Sequence, residues 1–559
     1  MTTVGSYLAT RLAQIGIKRH FVVPGDYNLL LLDKLQEHPD LNEINCTNEL
    51  NCSMAAEGYA RAQGVAACVV TYSVGAFSAF NGIGSAYGEN LPVILISGCP
   101  NTNDAGDFNL LHHTIGTHDF DYQLEMAKKI TTAAVSIRRA SDAPHMIDST
   151  IRQALLTQKP VYIELATNLA TQPCVLPGPE SVILESVKSD PIVLKDAVHQ
   201  AARLLSQKGK PTILVGPKVR SAQAELAVLQ LAEALGCAVA VMPSAKSFFP
   251  ETHPQYAGIY WGLASTLGAQ AIVDWSDLVI CVGTVFTDYS TVGWTAQPAP
   301  GVRLTADVDQ VQFPGTDSSR VYLAEFLSAL SLQAKRNPTT MVEYKRLSPP
   351  EPIVTASPAK EQLSRKEMAR QISGLVTAKT TIFADTGDSW FNGIQMRLPE
   401  GARFEIEMQW GHIGWSVPAS FGYAVAQPDR QVITMVGDGS FQMTAQEVSQ
   451  LTRLRIPMII FLINNIGYTI EVEIHDGIYN NIKNWDYAAF VESFNAKDGQ
   501  GRGFRATTAG ELHSAIESAK KNRNGPSLIE CVIDRDDCTK ELISWGHFVA
   551  AANGRAPRV

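Results

Sequence analysis

The sequence predicts an α/β protein made of three doubly wound parallel-sheet domains. Eleven short runs rich in valine and isoleucine, each bounded by turn residues, recur along the 559-residue chain. They lack strict alternation of apolar and polar residues, which is typical of strands buried on both faces of a parallel sheet. Helical patterns, such as those at 224–236 and 511–521, separate the runs. This repeated alternation indicates helices on both faces of each sheet.

The predicted strands fall into three groups along the chain. They are 20–25, 67–72, 92–98 and 160–166; then 211–217, 237–243 and 277–283; and finally 380–387, 431–439, 457–465 and 527–533. Two proline-containing stretches without a clear period, 167–191 and 337–358, separate the groups. Because proline removes an amide donor and fixes φ, we expect both to be extended linkers. The predicted domains are therefore 1–182, 190–340 and 355–559.

The composition is that of a globular protein with an acidic balance of charge. The chain has 46 Lys and Arg residues against 55 Asp and Glu residues, so its formal net charge is −9. Apolar residues make up 45% of the chain, which is enough for a buried core in each domain. The acidic balance and the lack of a basic run argue against nucleic acid or an anionic membrane as the main partner.

The cysteine usage predicts a cytoplasmic protein, and neither the first residues nor the uncharged stretch predicts export or a membrane span. The nine cysteines stand singly, without a Cys-x-x-Cys pair, so the sequence supports neither a disulfide framework nor a zinc ribbon. Residues 1–7 lack the basic and apolar stretches of a signal peptide. The uncharged stretch 62–88 is broken by polar residues and glycines. We expect a buried strand, a loop and a close-packed helix there rather than a membrane span.

Two motifs in the last third of the chain follow predicted strands directly. The sequence VGDGSF lies at 436–441 and NNIGY at 464–468, with 24 residues between Gly439 and Asn464 (464 − 439 − 1). That spacing fits one crossover helix and one strand. Both motifs would then lie at the carboxyl ends of parallel strands, where open α/β sheets bind ligands.

The residue types in these motifs suit a cation and a diphosphate. Asp438 offers a carboxylate, Asn465 an amide oxygen, and the backbone after it a carbonyl. Hard oxygen ligands of this kind suit Mg²⁺, which completes its shell with water and phosphate oxygens. The glycines let the backbone approach phosphates closely. An Asp-Gly turn or an Asn-rich loop would explain either motif alone, but their spacing favours a metal-diphosphate site.

The two motifs together resemble the metal-diphosphate motif of the thiamine diphosphate-dependent enzymes. Other segments resemble the 2-oxo-acid decarboxylases of that family, and among them the bacterial type of pyruvate decarboxylase: 25–33, 47–61, 111–116, 386–391, 407–419 and 468–477. The resemblance implies a pyrimidine-binding, a central and a diphosphate-binding domain, which fit the predicted boundaries. It also implies thiamine diphosphate and Mg²⁺ as cofactors.

The resemblance assigns Glu49 to the aminopyrimidine of the cofactor. A carboxyl that shares a proton with N1′ favours the imino tautomer, whose 4′-nitrogen can take the thiazolium C2 proton. Read alone, Glu49 could instead cap a helix or form half of a surface salt bridge. The resemblance assigns further cofactor contacts to Thr386, Gly411, Ile413, Asp438, Gly439, Ser440, Asn465 and Gly467. Of these, it assigns metal ligation to Asp438, Asn465 and Gly467.

Two residues of the GHIGWS segment at 411–416 are expected to shape the cofactor. Gly411 would offer a backbone carbonyl to the aminopyrimidine amine, and the side chain of Ile413 would prop the two cofactor rings apart. A glycine-rich turn followed by a core isoleucine is the structural alternative.

Four residues from three segments are assigned by the resemblance to proton transfer and substrate positioning: Asp26, His112, His113 and Glu471. Decarboxylation leaves a carbanion that must be protonated, and histidine and carboxyl groups with separated pKa values suit that step. Alternatives remain open. The histidines could be exposed or could bind zinc with His118 and Asp119, although no third ligand is evident at a fixed offset. Glu471 could be a surface acid of an amphipathic helix.

The resemblance also implies a small substrate pocket. Trp390 would close it, with Tyr289, Ile470 and Ile474 as further lining, leaving room for a methyl group but crowding an indole or phenyl ring. The structural alternative is a core tryptophan beneath the cofactor.

Two glycine-containing segments are weak candidates for nucleotide binding. The segment GIGSAYG at 82–88 lies inside a helical stretch rather than after a strand, and it lacks a matching acid downstream. The segment LVGPKVR at 214–220 is a predicted strand followed by Gly-Pro. We expect both to be structural.

The resemblance implies non-oxidative decarboxylation of a 2-oxo acid, with pyruvate giving acetaldehyde and CO₂ through a thiamine diphosphate ylid and an enamine. A decarboxylase of indolepyruvate or phenylpyruvate, or a carboligase, is the near alternative. A silent subunit or a nucleotide-binding dehydrogenase is the alternative from another class. The implied assembly is a homodimer, and further a dimer of dimers, in which Glu49 of one chain and Asp438 of its neighbour share a site.

Overall fold

Three β-sheets, one in each third of the chain, form the framework of the protein in a computed structural model. The structure describes residues 2–104, 109–266, 268–348 and 355–557. Each sheet is built mainly from parallel strands and is flanked by helices. The predicted α/β class and the three-sheet architecture are confirmed.

The first sheet has six parallel strands in the order β2-β1-β3-β4-β6-β5. Its strands are β1 (Arg19–Val22), β2 (Asn42–Asn45), β3 (Ala66–Val70), β4 (Val93–Cys99), β5 (Ala133–Ile137) and β6 (Val161–Ala166). The helices of this part are α1 (Val4–Gln14), α2 (Leu29–Gln36), α3 (Glu49–Gln63), α4 (Val74–Gly88), α5 (Tyr122–Ile130), α6 (Ala143–Thr157) and α7 (Ser181–Leu184). A short 3₁₀ helix at Thr167–Leu169 follows the last strand.

The second sheet has seven strands in the order β13-β12-β11-β10-β7-β8-β9, with β12 antiparallel to both of its neighbours. Its strands are β7 (Pro211–Val215), β8 (Ala238–Val241), β9 (Tyr256–Ile259), β10 (Leu278–Val282), β11 (Arg303–Asp307), β12 (Gln310–Gln312) and β13 (Ser318–Ser319). Its helices are α8 (Pro191–Gln207), α9 (Lys218–Ser221), α10 (Glu225–Leu235), α11 (Ala269–Trp275), α12 (Leu323–Ser331) and α13 (Thr339–Leu347).

The third sheet has six parallel strands in the order β15-β14-β16-β17-β19-β18. Its strands are β14 (Thr380–Ala384), β15 (Arg403–Glu405), β16 (Gln431–Gly437), β17 (Ile459–Asn464), β18 (Arg502–Ala506) and β19 (Ser527–Val532). Its helices are α14 (Arg365–Ser373), α15 (Asp388–Gln395), α16 (Ser416–Ala426), α17 (Asp438–Thr444), α18 (Val448–Arg453), α19 (Thr469–Ile474), α20 (Tyr487–Ser493), α21 (Ala509–Ala519) and α22 (Lys540–Asn553).

Each of the eleven predicted strand runs contains a strand, and every one of these strands lies inside a sheet rather than at its edge. The helices predicted at 224–236 and 511–521 are also present, as α10 and α21. The sequence analysis did not predict the edge strands β2, β5, β9, β13, β15 and β18, nor β11 and β12.

Both predicted linkers are partly wrong. Within the first, 167–169 form a 3₁₀ helix and 181–184 form helix α7. Within the second, 339–347 forms helix α13 rather than extended chain. Met341 and Tyr344, three residues apart, are buried in the core of the second sheet. Thr340 directly precedes Met341, and its hydroxyl donates to the Pro211 carbonyl at 2.6 Å and accepts from the Ala238 amide at 3.0 Å. This packing stabilises a helix despite the flanking prolines, which predicted extended chain. Residues 349–354 of the predicted linker lie outside the described part of the chain.

The uncharged stretch 62–88 has the predicted structure. It comprises the end of helix α3, the buried strand β3, a short turn and the close-packed helix α4. Within the described ranges, no helix combines the length and the apolar character that crossing a membrane requires.

Helices α3 and α16 bring the first and third parts of the chain together. A Cβ atom on Gly58 of α3 would lie 1.8 Å from the Ala419 carbonyl oxygen, and one on Gly422 of α16 would lie 1.8 Å from that of Ala55. The two backbones therefore approach more closely than any side chain would allow.

A buried ion network reinforces this crossing. Arg61 of α3 bonds Glu57 at 2.8 Å on its own helix and Glu405 of β15 at 3.1 Å. Arg220 of α9 bonds Glu405 at 2.5 Å, so the network joins all three sheets. Removal of one partner would leave an uncompensated buried charge, which is strongly destabilising.

The close approach of helices α3 and α16 predicts that a single added methyl group lowers the stability of the protein. Gly58→Ala adds a Cβ against backbone, so the thermal unfolding midpoint should fall by the equivalent of about 1–3 kcal/mol. The intrinsic helix propensity of alanine would act in the opposite direction. The matched control is Gly301→Ala, because a Cβ there meets no atom within 4 Å. A Gly58→Ala protein as stable as wild type would contradict the described crossing.

Candidate active site

The GDGS and NN motifs lie side by side at the carboxyl ends of two neighbouring parallel strands, as predicted. Gly437 of β16 pairs with Ile463 of β17, so Asp438 and Asn465 follow at the same edge of the sheet. Asp438 is fully buried. Its carboxylate accepts backbone N–H groups from Gly439 at 2.7 Å, from Ile466 at 2.7 Å and from Gly467 at 3.3 Å. One side chain thus holds both loops together.

The chemistry of these groups fits a divalent cation. Burial raises the pKa of Asp438 to about 6, and a cation beside the carboxylate would restore its ionised form. The Asn465 amide nitrogen donates to the Thr469 hydroxyl, which leaves the amide oxygen on the opposite side for a metal. Gly467 has φ +155°, and a Cβ there would meet the Asn480 carbonyl oxygen at 2.4 Å. Glycine is therefore required at the expected metal-binding carbonyl.

A small cavity at this edge of the sheet gathers most of the residues expected to bind the cofactor. It is lined by Thr386, Ile413, Asp438, Gly439, Ser440, Asn465, Gly467 and Ile470 among others. A Cβ on Gly439 would meet the Tyr468 ring at 2.3 Å, so this glycine is also required. Of the described residues, those that line the cavity all come from the third part of the chain.

A buried acid that the sequence analysis missed anchors the segment with Gly411 and Ile413. Asp385, which directly follows β14, accepts the Gly414 amide at 2.9 Å and the Ser416 amide at 2.8 Å. Burial raises its pKa. Its position directly after a predicted buried strand, like that of Asp438, was the available signal. Gly411 itself has φ +70°.

A second missed acid, Glu407, holds the other end of the same segment. It is almost fully buried, and its carboxylate accepts the His412 amide at 2.8 Å. Burial, together with the nearby carboxylates of Glu57 and Glu89, raises the pKa of Glu407 well above its usual range. Glu407 therefore fixes the backbone between Gly411 and Ile413, and Asp385 fixes it directly after Ile413.

Glu49 is the first residue of helix α3 in the first sheet's domain. The Asn48 side chain caps this helix by accepting the Asn51 amide at 2.9 Å. The Glu49 side chain lies over the start of α4, where a Cβ on Gly75 would be 3.0 Å from its Oε1. Thr47, two residues earlier, bonds Glu447 of the same chain's third domain through its amide and its hydroxyl. The backbone before Glu49 is thus fixed while its carboxyl stays partly exposed.

Asp26, His112 and His113 are brought together from two segments, as expected. The His112 Nε2 atom hydrogen-bonds Asp26 Oδ2, and His113 Nε2 lies 3.5 Å from Asp26 Oδ1. The His112 ring stacks on Tyr27 with centroids 5.0 Å apart. Glu471, the fourth expected member, lies on the exposed side of α19 in the third domain and does not join this cluster.

Of the residues expected to line the substrate pocket, Trp390 packs against Tyr289. A Cβ on Gly411 would lie 3.7 Å from the Tyr289 ring. Burial, and to a smaller extent the nearby Glu471, raises the pKa of Tyr289. Trp390 packs edge-on against Tyr289 at 6.2 Å and is fully buried, as the core alternative describes. Ile470 and Ile474 lie on α19, the first buried and the second partly buried.

The residues expected at the site belong to two parts of the chain, which we call the two halves of the site. One half, with Glu49, Asp26, His112 and His113, belongs to the first domain. The other half, with Asp438 and the cavity around it, belongs to the third. Among the residues that the structure describes, no first-domain residue lines that cavity.

Comparisons with known proteins also match cofactor-binding domains to the first and third parts of the chain. The family models of the thiamine pyrophosphate enzymes match the N-terminal TPP binding domain at residues 2–126, the central domain at 198–324 and the C-terminal TPP binding domain at 385–531. Thiamine pyrophosphate is another name for thiamine diphosphate.

Several curated relatives match over the whole chain. A pyruvate decarboxylase of Neurospora crassa is 62% identical, with 100% of this chain and 97% of that protein covered. A probable pyruvate decarboxylase of Schizosaccharomyces pombe is also 62% identical with the same coverage. Pyruvate decarboxylase 1 of Pisum sativum is 45% identical, with 99% of this chain and 94% of that protein covered.

These relatives are fungal and plant proteins, so they lend no support to the expected bacterial type. The three domain matches and the full-length identity agree on the wider group. The chain therefore belongs to the thiamine pyrophosphate enzymes, and within them to the pyruvate decarboxylase family.

Proposed function

We propose that this protein decarboxylates pyruvate to acetaldehyde and CO₂ without oxidation, using thiamine diphosphate and Mg²⁺. The observation that carries the proposal is the cavity in which Asp438, Asn465 and Gly467 lie beside Thr386, Gly439 and Ser440. Full-length relatives named pyruvate decarboxylase support the choice of substrate. An aromatic 2-oxo-acid decarboxylase or a carboligase is the alternative.

The third domain would hold the metal and the diphosphate. Asp438, the amide oxygen of Asn465 and the Gly467 carbonyl would bind Mg²⁺, and the backbone at Gly439 and Ser440 would contact the phosphates. When bound, thiamine diphosphate supplies a thiazolium carbon that accepts the electron pair left by CO₂. Asp385 and Glu407 would keep the Gly411 carbonyl and the Ile413 side chain in the orientation that binding requires.

The first domain would supply the proton chemistry. Glu49 would exchange a proton with the aminopyrimidine, because its carboxyl lies at a fixed helix start and is only partly exposed. Asp26, His112 and His113 would hold and move the proton that the product carbon takes up, as their mutual contacts allow. Glu471 of the third domain would face the substrate beside Tyr289.

We propose that two copies of the chain complete each site. Glu49 of one subunit would meet Asp438 of its partner in a homodimer, and two dimers would form a tetramer. The separation of the two half-sites within one chain supports this assembly.

We also propose domain boundaries at 1–182, 190–340 and 355–559, and a cytoplasmic location. Each sheet lies inside one of these three ranges.

Replacing Asp438 and Glu49 in turn should distinguish the residue that anchors the cofactor from the residue that exchanges a proton with it. Asp438→Asn removes the charge that holds Mg²⁺, so the Kd of thiamine diphosphate should rise at least about tenfold. Glu49→Gln should leave the diphosphate anchored while activity is lost. Quenching of tryptophan fluorescence during cofactor titration at saturating Mg²⁺ measures both variants, and circular dichroism checks their folding. An unchanged Kd for Asp438→Asn would contradict the metal assignment.

Substrate choice should depend on Trp390, the tryptophan expected to close the substrate pocket. Wild-type protein should form acetaldehyde from pyruvate faster than it decarboxylates phenylpyruvate or indolepyruvate. Trp390→Ala should shift this preference towards phenylpyruvate by the equivalent of about 1–3 kcal/mol, because apolar fit has that size. The assay is acetaldehyde release coupled to alcohol dehydrogenase, with direct CO₂ detection for the aromatic acids.

Trp545→Ala is the matched control. Trp545 is also fully buried and packs edge-on against Tyr289, at 4.8 Å. Because it is not among the residues expected to line the pocket, its loss should lower stability without changing the substrate preference. If Trp390→Ala is destabilised and keeps the wild-type preference, Trp390 is a core residue only. Wild-type protein that prefers indolepyruvate would contradict the proposed substrate.

A further inference from the structure

The cluster of Asp26, His112 and His113 has the composition of a transition-metal site. The carboxylate and one nitrogen of each imidazole all lie within 4.8 Å of one another. Read alone, the sequence offered two adjacent histidines without a third ligand at a fixed offset. The fold supplies that ligand from Asp26, some 86 residues earlier in the chain.

The cluster is held in place before any ligand arrives. Tyr27 is buried, stacks on the His112 ring with an interplanar angle of 11°, and donates its hydroxyl hydrogen to the His112 carbonyl at 3.3 Å. It also contacts the His113 ring edge-on at 6.1 Å. His113 has φ +56°, a left-handed conformation that few residues other than glycine adopt. This turn brings two adjacent imidazoles to the same carboxylate.

We propose that Asp26, His112 and His113 bind a zinc ion, or a dication of the same class, as three ligands of a four-coordinate site. Ligand atoms around tetrahedral zinc lie about 3.3 Å apart, since each bond is about 2.0–2.1 Å long. His113 Nε2 and Asp26 Oδ1 are 3.5 Å apart, close to that separation. In the single chain Asp26 and His112 are exposed and His113 is partly exposed. In the proposed dimer the cluster would face the substrate cavity, through which an ion can enter and water can fill the fourth position.

The imidazole nitrogens of the cluster disfavour Mg²⁺, the ion proposed for the other half-site. Imidazole nitrogen suits zinc, copper and nickel, whereas Mg²⁺ takes oxygen ligands almost alone. Asp438, Asn465 and Gly467 offer only oxygen. The two metal preferences are therefore separate, and saturation with Mg²⁺ leaves the histidine cluster free for zinc.

The consequence for activity rests on the proposed function. A zinc ion would hold both imidazoles in their neutral, ligated form, so they could not carry the proton in turnover. Zinc would then inhibit reversibly, a chelator would restore activity, and excess Mg²⁺ would not. Zinc that acted at Asp438 instead would be displaced by Mg²⁺.

The test is zinc binding by the full-length protein saturated with thiamine diphosphate and Mg²⁺. Competition with a chromogenic chelator should give one zinc per chain. Asp26→Asn, His112→Gln and His113→Gln should each weaken binding at least about tenfold. His118→Gln, which removes a histidine of the same segment outside the cluster, should bind zinc as wild type does. Circular dichroism and sedimentation confirm that each variant is folded and assembled.

Two further measurements make the outcome decisive. Co²⁺ in place of zinc should give the visible absorption of a four-coordinate nitrogen-oxygen site, and this absorption should be lost in His113→Gln. Asp438→Asn should keep the zinc affinity of wild type, even if the proposed enzymatic function fails. No zinc bound under Mg²⁺ saturation, wild-type zinc affinity in the three cluster variants, or loss of binding in Asp438→Asn would each overturn the proposal.

Discussion

The contact between helices α3 and α16 is the constraint on which the arrangement of the site depends. At Gly58 and Gly422 the two helix backbones touch directly, and each position would place a Cβ 1.8 Å from a carbonyl oxygen. Arg61 and Glu405 add a buried ion pair beside the crossing. With the first and third domains held in this way, the Glu49 half-site does not line the cavity at Asp438 of its own chain. One chain alone therefore does not bring Glu49 to the wall of this cavity.

Buried carboxylates organise the cofactor-facing loops by accepting backbone N–H groups. Asp385, Glu407 and Asp438 each bind amides of a glycine-containing loop, and burial raises the pKa of each. Such carboxylates cost desolvation free energy, which the amide hydrogen bonds offset. The loops are therefore fixed in the unliganded chain, which would lower the entropy lost when the proposed cofactor binds.

The sequence predicted every interior strand except β11 and β12 but none of the edge strands, and the missed edges have a physical reason. Interior strands are buried on both faces and read as continuous apolar runs, whereas the edge strands β2 and β18 have the polar sequences NEIN and RGFRA. The motif residues around Asp438 were predictable because neighbours in sequence meet at one strand end. Glu407 and the contacts of Asp26 with His112 and His113 were not, since burial and partners from distant segments define them. Helix α13 was missed because its signal is packing against the second sheet.

The central claim is that each active site is shared between two copies of the chain, and subunit mixing tests it most directly. Glu49→Gln and Asp438→Asn proteins, each inactive alone, are dissociated, mixed in equal amounts and reassembled with thiamine diphosphate and Mg²⁺. In a symmetric dimer with shared sites, random mixing restores about a quarter of the wild-type sites. Activity near that level is the predicted result. No recovery, with native mass spectrometry showing that mixed dimers have formed, would contradict the shared site.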